Sequence, residues 1–197
     1  AYMFPGIIAV GVMSSGLFLI SSSFLHMKER AVLKRLTATP MGKVEFLGGL
    51  ITTRLVLSVL SALLTLLVGR LFLGVSLPIH WVWFLVYLPL STLIMAGAGA
   101  LIAMIGKTSR SASQIASLLM TLMMFVSGVY FPVELLPTYF RAAGRVLPAT
   151  YISRGFRFIM GVETMSRSAF LMETALLTLL GLAAIWAAAM KGSWDLE

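Results

Sequence analysis

The chain has 197 residues, of which 59% are hydrophobic and only 11% are charged. Soluble domains carry roughly 25% charged residues, so this composition excludes a soluble globular domain and predicts a membrane protein. Cysteine is absent, which excludes disulfides, and the net charge of +8 comes from basic residues between apolar runs, where lipid headgroups explain it better than nucleic acid does. No nucleic-acid partner is expected.

Residues 1–197 are predicted to form a single transmembrane domain. Apolar runs of about 20 residues, the length that crosses a bilayer core, recur along it. They predict five transmembrane helices over residues 2–25, 46–73, 81–106, 112–131 and 169–190. The chain starts at Ala1 inside an apolar run and without an initiator Met, so we expect at least one further span before it. The predicted fold class is therefore an all-α membrane protein.

An odd number of spans places the two ends of the chain on opposite sides of the membrane. The basic connections over residues 26–45 and 107–110 then face the cytoplasm, in agreement with the positive-inside rule. The segment over residues 132–167 lies outside although it holds five arginines, so there the rule is satisfied only weakly. We predict Lys43 and Lys107 on the cytoplasmic side and Thr138 and Val162 on the outer side.

The cytoplasmic connection contains the amphipathic segment ERAVLKRLTATP at residues 29–40. A helix over residues 28–39 would place Val32, Leu33 and Leu36 on one apolar stripe and the basic side chains on the remaining surface. Helices end before a proline, which accounts for the end of this one. The pattern predicts a helix that binds a surface through its apolar stripe.

The basic side of this helix needs an anionic neighbour. Arg30 and Lys34 are four residues apart, and like charges at that spacing destabilise an isolated helix mildly. A membrane surface would satisfy them, and so would an acidic cytoplasmic partner on which the helix docks. Both interpretations remain open from the residues alone.

The external segment over residues 132–167 is predicted to contain short helices only. It is interrupted by three prolines, Pro132, Pro137 and Pro148. The intervening pieces of about ten residues are too short to span a bilayer. We expect Thr138 and Thr150 to cap two short helices, which form either an interfacial amphipathic hairpin or a re-entrant pair that lines a pathway.

Catalytic and cofactor chemistry finds no support in the sequence. Residues 106–108 read GKT, but Leu101 occupies the position where a P-loop needs its first glycine, and an apolar run precedes it. His26 and His80 lie on opposite sides in the predicted topology, so they do not form a metal site. Glu173 lies about one turn inside the last span, where a solvated or arginine-paired boundary residue is favoured over a functional acid.

The first and fourth spans are rich in small and flexible side chains. Serines and glycines allow close helix packing, and methionines adapt to varied apolar shapes. Helix packing alone explains most of this composition. The alternative is a pathway for a lipidic or amphipathic substrate.

Several motifs in a fixed order resemble those of a known family. FPGI opens the first span, ER-x-x-LKRL-x-ATP follows in Glu29–Pro40, and SG-x-YFP-x-ELLP with LPATY-x-x-R covers Gly128–Arg154. This pattern resembles the membrane subunits of ABC-2 type exporters, which include drug-resistance permeases and lipooligosaccharide or polysaccharide exporters. The resemblance implies six helices in the full chain, of which the first would precede Ala1.

The same resemblance implies that the short external helices before the last span are re-entrant, and it also implies partners and roles. The chain would sit in a bacterial-type inner (plasma) membrane as a homodimer or beside a paralogous permease, with ATP and Mg bound by a separate ABC ATPase and no cofactor bound by this chain. The residues implied for ATPase coupling are Glu29, Arg30, Val32, Leu33, Lys34, Arg35, Leu36, Thr39 and Pro40. Those implied for the substrate pathway are Phe18, Met124, Phe125 and Gly128. Those implied for an external gate are Tyr130, Phe131, Pro132, Glu134, Leu135, Leu136 and Pro137.

The function expected from residues and resemblance together is that of a permease subunit of an ATP-driven exporter. An ATP-independent channel or secondary transporter is the first alternative, but the middle of the spans is almost free of the ionisable groups that such proteins use. A membrane scaffold that does not transport is the second alternative. Measured transport separates it from the exporter.

Overall fold

The computed structural model of the protein describes residues 3–21, 23–29, 43–74, 78–106, 108–129 and 137–191. These residues form helices and no strand. In chain order they are α1 Met3–Ser21, α2 Ser23–Glu29, α3 Lys43–Leu73, α4 Trp81–Ile105, α5 Ser109–Val126, α6 Thr138–Gly144, α7 Pro148–Ile159 and α8 Arg167–Lys191.

Three helices are long and apolar enough to cross a membrane within the described part of the chain. The stretches concerned are Ile51–Phe72 in α3, Trp81–Ile105 in α4 and Arg167–Ala188 in α8, and α1 adds a shorter apolar stretch, Met3–Phe18. The prediction of an all-α membrane protein is confirmed. The helix α5 begins with the polar sequence SRSASQ, which lowers its mean hydropathy, and it is not among the three. The count of five spans therefore stays a prediction.

The core is built on close contacts between α1, α4 and α8. A Cβ atom on Gly16 of α1 would lie 2.7 Å from the Cβ atom of Met95 in α4. On the other side of α4, a Cβ atom on Gly97 would lie 2.6 Å from the carbonyl oxygen of Gly181 in α8. Glycine at these positions therefore lets the helix backbones approach as in other membrane bundles.

The long helices α1, α3, α4, α5 and α8 alternate in direction, so each end of the bundle contains a defined set of elements. At one end, Gly6 near the start of α1 packs against Val129 just beyond α5, and the backbone N–H of His80 before α4 donates to Ile159 O at the end of α7. We call this the α7 end. At the opposite end, Glu29 at the end of α2 contacts Ser109 at the start of α5, and we call this the α2 end.

The described part of the external segment forms two short helices, α6 and α7, in agreement with its division by prolines. The expected threonine caps are wrong, because the N-cap positions are Pro137 and Leu147. Pro148 occupies the first turn of α7, where its fixed φ favours helix initiation. Thr150 instead donates from Oγ1 to Gly144 O at 2.6 Å and joins α7 to α6.

The helix α7 lies inside the bundle. Its apolar residues Ile152, Phe156 and Ile159 are buried, and so are Ser153 and Arg157 on its polar side. The Tyr87 hydroxyl of α4 donates to its backbone, and the rings of Tyr87 and Phe156 pack edge to face with centroids 5.1 Å apart. A re-entrant helix is surrounded by protein in this way, and the re-entrant arrangement of the segment stays a prediction.

Candidate functional site

The helix α5 differs from its neighbours in what it exposes. Small or flexible residues form its buried face, which includes Ala112, Ala116, Met123 and Val126. Its exposed face carries polar side chains beside large apolar ones, namely Gln114, Ser117, Leu118, Thr121, Leu122 and Phe125. A face of this mixed composition suits an amphipathic ligand or a partner helix better than lipid chains alone.

The residues predicted for the substrate pathway differ in exposure and in position along the bundle axis. Phe125 is 57% exposed on the open face of α5, whereas Phe18 and Met124 are half-buried. Gly6 of α1 packs against Val129, so the antiparallel helices place Phe18 about 12 Å further toward the α2 end than Phe125. These side chains do not meet at a single site. Their lining of one pathway, at successive positions along the bundle, stays a prediction.

Gly128, the fourth residue predicted for the pathway, is buried just beyond the end of α5. Its φ of 68° lies in the left-handed region that glycine adopts without strain. Its carbonyl oxygen accepts a hydrogen bond from Nη2 of Arg157 in α7, and the Ser127 carbonyl accepts one from Ser153 Oγ at 3.3 Å. The position therefore joins α5 to α7.

Four charged side chains form a cluster at the α7 end. Arg157 is only 2% exposed, and its Nη1 lies 3.6 Å from Glu163 Oε2. Glu163 also accepts from Arg154 Nε at 3.2 Å, and Arg154 Nη1 lies 3.6 Å from Glu173 Oε1 in α8. A buried guanidinium is stable only with a carboxylate and hydrogen-bond acceptors around it, which Glu163 and Gly128 provide.

The sequence predicted parts of this cluster. The pairing of Glu173 with an arginine is confirmed by the contact with Arg154. The role of Glu163 was missed. Its position depends on a turn after α7, in which the backbone N–H groups of Val162 and Glu163 both donate to Arg157 O. The hydrophobic periodicity of the sequence does not predict that turn.

A second polar contact lies at the α2 end. The carboxylate of Glu29 accepts from the backbone N–H of Ser109, the first residue of α5, with N and Oε1 2.6 Å apart. Thr108 completes the start of this helix, because its Oγ1 accepts from Ser111 N at 3.1 Å and its own N–H donates to the Ser111 hydroxyl. A groove lined by polar residues that include His26 and Gln114 runs beside these contacts.

Other predicted residues lie outside the described part of the chain. Of the coupling residues, Glu29 alone is described, and the outlying ones are Arg30, Val32, Leu33, Lys34, Arg35, Leu36, Thr39 and Pro40. Of the gate residues, Pro137 alone is described and precedes α6; the outlying ones are Tyr130, Phe131, Pro132, Glu134, Leu135 and Leu136. Their roles stay predictions. Across the described residues, no group of three His, Asp or Glu side chains could hold a metal ion.

Comparison with known proteins identifies the family. Residues 1–160 match the sequence model of the ABC-2 type transporter family. The chain is 23% identical over 158 residues to the inner membrane transport permease YadH of Escherichia coli K12, and proteins of the same name from Escherichia coli O157:H7 and Shigella flexneri match equally well. The alignment covers 80% of this chain and 61% of these relatives, so the chain spans about three fifths of their length. With a family match over most of its length and an all-helical apolar fold, this membrane transporter subunit belongs to the ABC-2 type transporter family.

Proposed function

We propose that the protein is the membrane permease of an ATP-driven exporter in the inner membrane of a bacterium. It moves a lipidic or amphipathic substrate out of the cytoplasm or the inner leaflet, and a separate ABC ATPase hydrolyses the ATP. The observation that carries the proposal is the open face of α5, which presents Gln114, Ser117 and Thr121 beside Leu118, Leu122 and Phe125. A second permease, either an identical copy or a paralogue, would complete the pathway.

The chemistry of this face indicates the substrate class. Thr121 already donates to Ser117 O within the helix, so the polar side chains interrupt the apolar surface without making it strongly charged. Large apolar side chains one turn apart, such as Leu118 and Leu122, suit acyl chains or rings. A molecule with an apolar body and an uncharged or zwitterionic polar part matches both features.

The ATP must be bound elsewhere, and the turn between α4 and α5 supports this. In the GKT sequence at residues 106–108, Gly106 is buried against Ala112, and the hydroxyl of Thr108 is occupied as the cap of α5. A P-loop needs a glycine-rich turn after a strand whose N–H groups surround a phosphate. This turn joins two helices instead, so we assign nucleotide binding to the partner subunit.

The proposal is tested in proteoliposomes that contain the full-length permease with its ATPase and a fluorescent phospholipid or amphipathic dye. We expect ATP-dependent movement of the probe and loss of that movement when the catalytic glutamate of the ATPase is replaced by glutamine. Movement at the same rate with the inactive ATPase would indicate an ATP-independent channel. A complex that hydrolyses ATP but moves none of a broad panel of amphiphiles would favour the scaffold.

A further inference from the structure

Both ends of α5 are held by charged side chains that belong to other helices. Glu29 of α2 contacts the amino end, and Arg157 of α7 contacts the carboxyl end. The signs match the helix macrodipole, which favours a carboxylate at the amino end and a cation at the carboxyl end. The described bundle thus connects α2 to α7 through one helix.

The contact at the α2 end is specific in geometry. Ser109 donates its backbone N–H to the carboxylate at an N–O distance of 2.6 Å, and hydrogen bonds to an ionised acceptor are shorter and stronger than neutral ones. This N–H is one of the first amides of α5, which have no partner inside the helix. Because Glu29 is also the first residue of ERAVLKRLTATP, a displacement of that segment acts directly on the start of α5.

The contact at the α7 end is buried. The guanidinium of Arg157 is 2% exposed and donates to the carbonyl oxygen of Gly128, while Ser153 donates to the carbonyl of Ser127. Through Glu163 and Arg154 the same group is connected to Glu173 of α8. Displacement of the end of α5 therefore acts on α7 and, through α7, on α8.

We propose that α5 transmits movement between the cytoplasmic segment and the external helices, with Glu29 and Arg157 as the positioning residues at its two ends. An α-helix of 18 residues is about 27 Å long and is stiff along its axis, so a shift at one end reaches the other. The proposal rests on the proposed function, because the movement originates where the partner ATPase docks. It assigns the transmission to this helix and to these two contacts.

The experiment uses a reporter at the far end of the bundle. Val146 lies in the turn between α6 and α7 and is 83% exposed, and the chain has no cysteine, so Val146→Cys accepts a single environment-sensitive fluorophore. In the reconstituted complex with the ATPase, ATP addition should change its emission. We expect Glu29→Ala and Arg157→Met each to reduce that change at least fivefold.

Two conservative variants and one control separate positioning from folding. Glu29→Gln keeps an acceptor oxygen and Arg157→Lys keeps a cation, so each should retain at least half of the response. Arg167→Met removes an exposed arginine at the start of α8, outside the cluster, and should leave the response unchanged. Hydrogen exchange should accelerate at residues 109–111 in Glu29→Ala and at residues 127–129 in Arg157→Met, with α1 and α4 unaffected.

The outcomes separate the transmission role from the exporter assignment. A full response in Glu29→Ala and Arg157→Met would overturn the transmission role while the exporter assignment stands. The same holds for a complex that transports with ATP but shows no change at position 146. A complex without ATP-dependent transport would contradict both the proposed function and the transmission role of α5. Where Arg157→Met does not insert, Glu29→Ala decides alone, because it removes only an exposed carboxylate.

Discussion

Two glycines of α1 show how single residues determine the packing of the bundle. A Cβ atom on Gly16 would lie 2.7 Å from the Cβ atom of Met95 and 3.1 Å from the backbone nitrogen of Ala96, so α4 would have to move. A Cβ atom on Gly11, five residues earlier, would meet no atom within 4 Å. The same substitution at the two positions therefore separates close packing from helix propensity.

We predict that Gly16→Ala destabilises the protein by about 1 to 3 kcal/mol, the usual effect of overpacking a filled core. Gly11→Ala should be neutral or stabilising by roughly 0.5 kcal/mol or more, since alanine is the better helix former. Thermal unfolding in detergent, followed by loss of monodisperse protein, measures both. Equal stability of the two variants would show that α1 and α4 are less closely packed than described.

At the scale of single helices, α3 and α5 expose leucines in different surroundings. The exposed residues of α3 around Leu64 are mostly leucines and valines, as expected for a surface in contact with lipid chains. Leu122 of α5 is exposed to a similar extent but has polar neighbours on the same face. Of these two faces, only that of α5 is expected to meet the substrate.

We predict that Leu122→Ala lowers the transport rate at low substrate concentration by about 5-fold to 30-fold, equivalent to about 1 to 2 kcal/mol of lost apolar contact. Leu64→Ala is the matched control, because the two leucines are 60% and 52% exposed, and it should change transport less than twofold. Initial rates in proteoliposomes at several substrate concentrations measure both variants. Equal effects of the two substitutions on transport would show that the pathway does not run along the face of α5.

The elements that could be predicted from the sequence are those with a local cause. The apolar runs predicted the long helices, and Pro137 and Pro148 predicted two short ones, because proline restricts the backbone wherever it stands. The contact of Gly97 with Gly181 and the bond of Arg157 to Gly128 join residues far apart in the chain, so no local pattern reveals them. The threonine caps failed because Pro137 and Leu147 occupy the N-cap positions, so Thr138 and Thr150 lie inside the helices.

At the scale of the whole molecule, the directions of the helices place α6 and α7 at the end of the bundle opposite to α2. The positive-inside rule assigns the α2 end to the cytoplasm. We predict that single cysteines at positions 43 and 107 react with an impermeant thiol reagent only from the cytoplasmic side, and those at 138 and 162 only from outside. Labelling of position 107 from outside, with position 138 protected, would show that the orientation is the opposite of the predicted one.

The central claim is that ERAVLKRLTATP couples this permease to a separate ATPase. If the segment docks on a partner ATPase, Arg30 and Lys34 face specific acids and the apolar stripe with Leu36 is buried. Truncation at such contacts typically costs about 2 to 5 kcal/mol, a factor of roughly 30 or more in assembly. A helix that merely rests on lipid gains only about 1 kcal/mol from each basic residue, in a salt-screened attraction. The two cases therefore differ in how a substitution affects assembly.

The most direct measurement is ATPase activity and transport in proteoliposomes, together with the amount of ATPase that co-purifies with the permease. We predict that Leu36→Asp, and Arg30→Glu combined with Lys34→Glu, leave the permease inserted and folded but uncouple substrate movement from ATP hydrolysis and reduce the amount of ATPase that co-purifies. Leu36→Met keeps the apolar stripe and should behave like the unmodified protein. Normal co-purification and normal coupling in both charged variants would contradict the claim and identify the segment as a surface anchor.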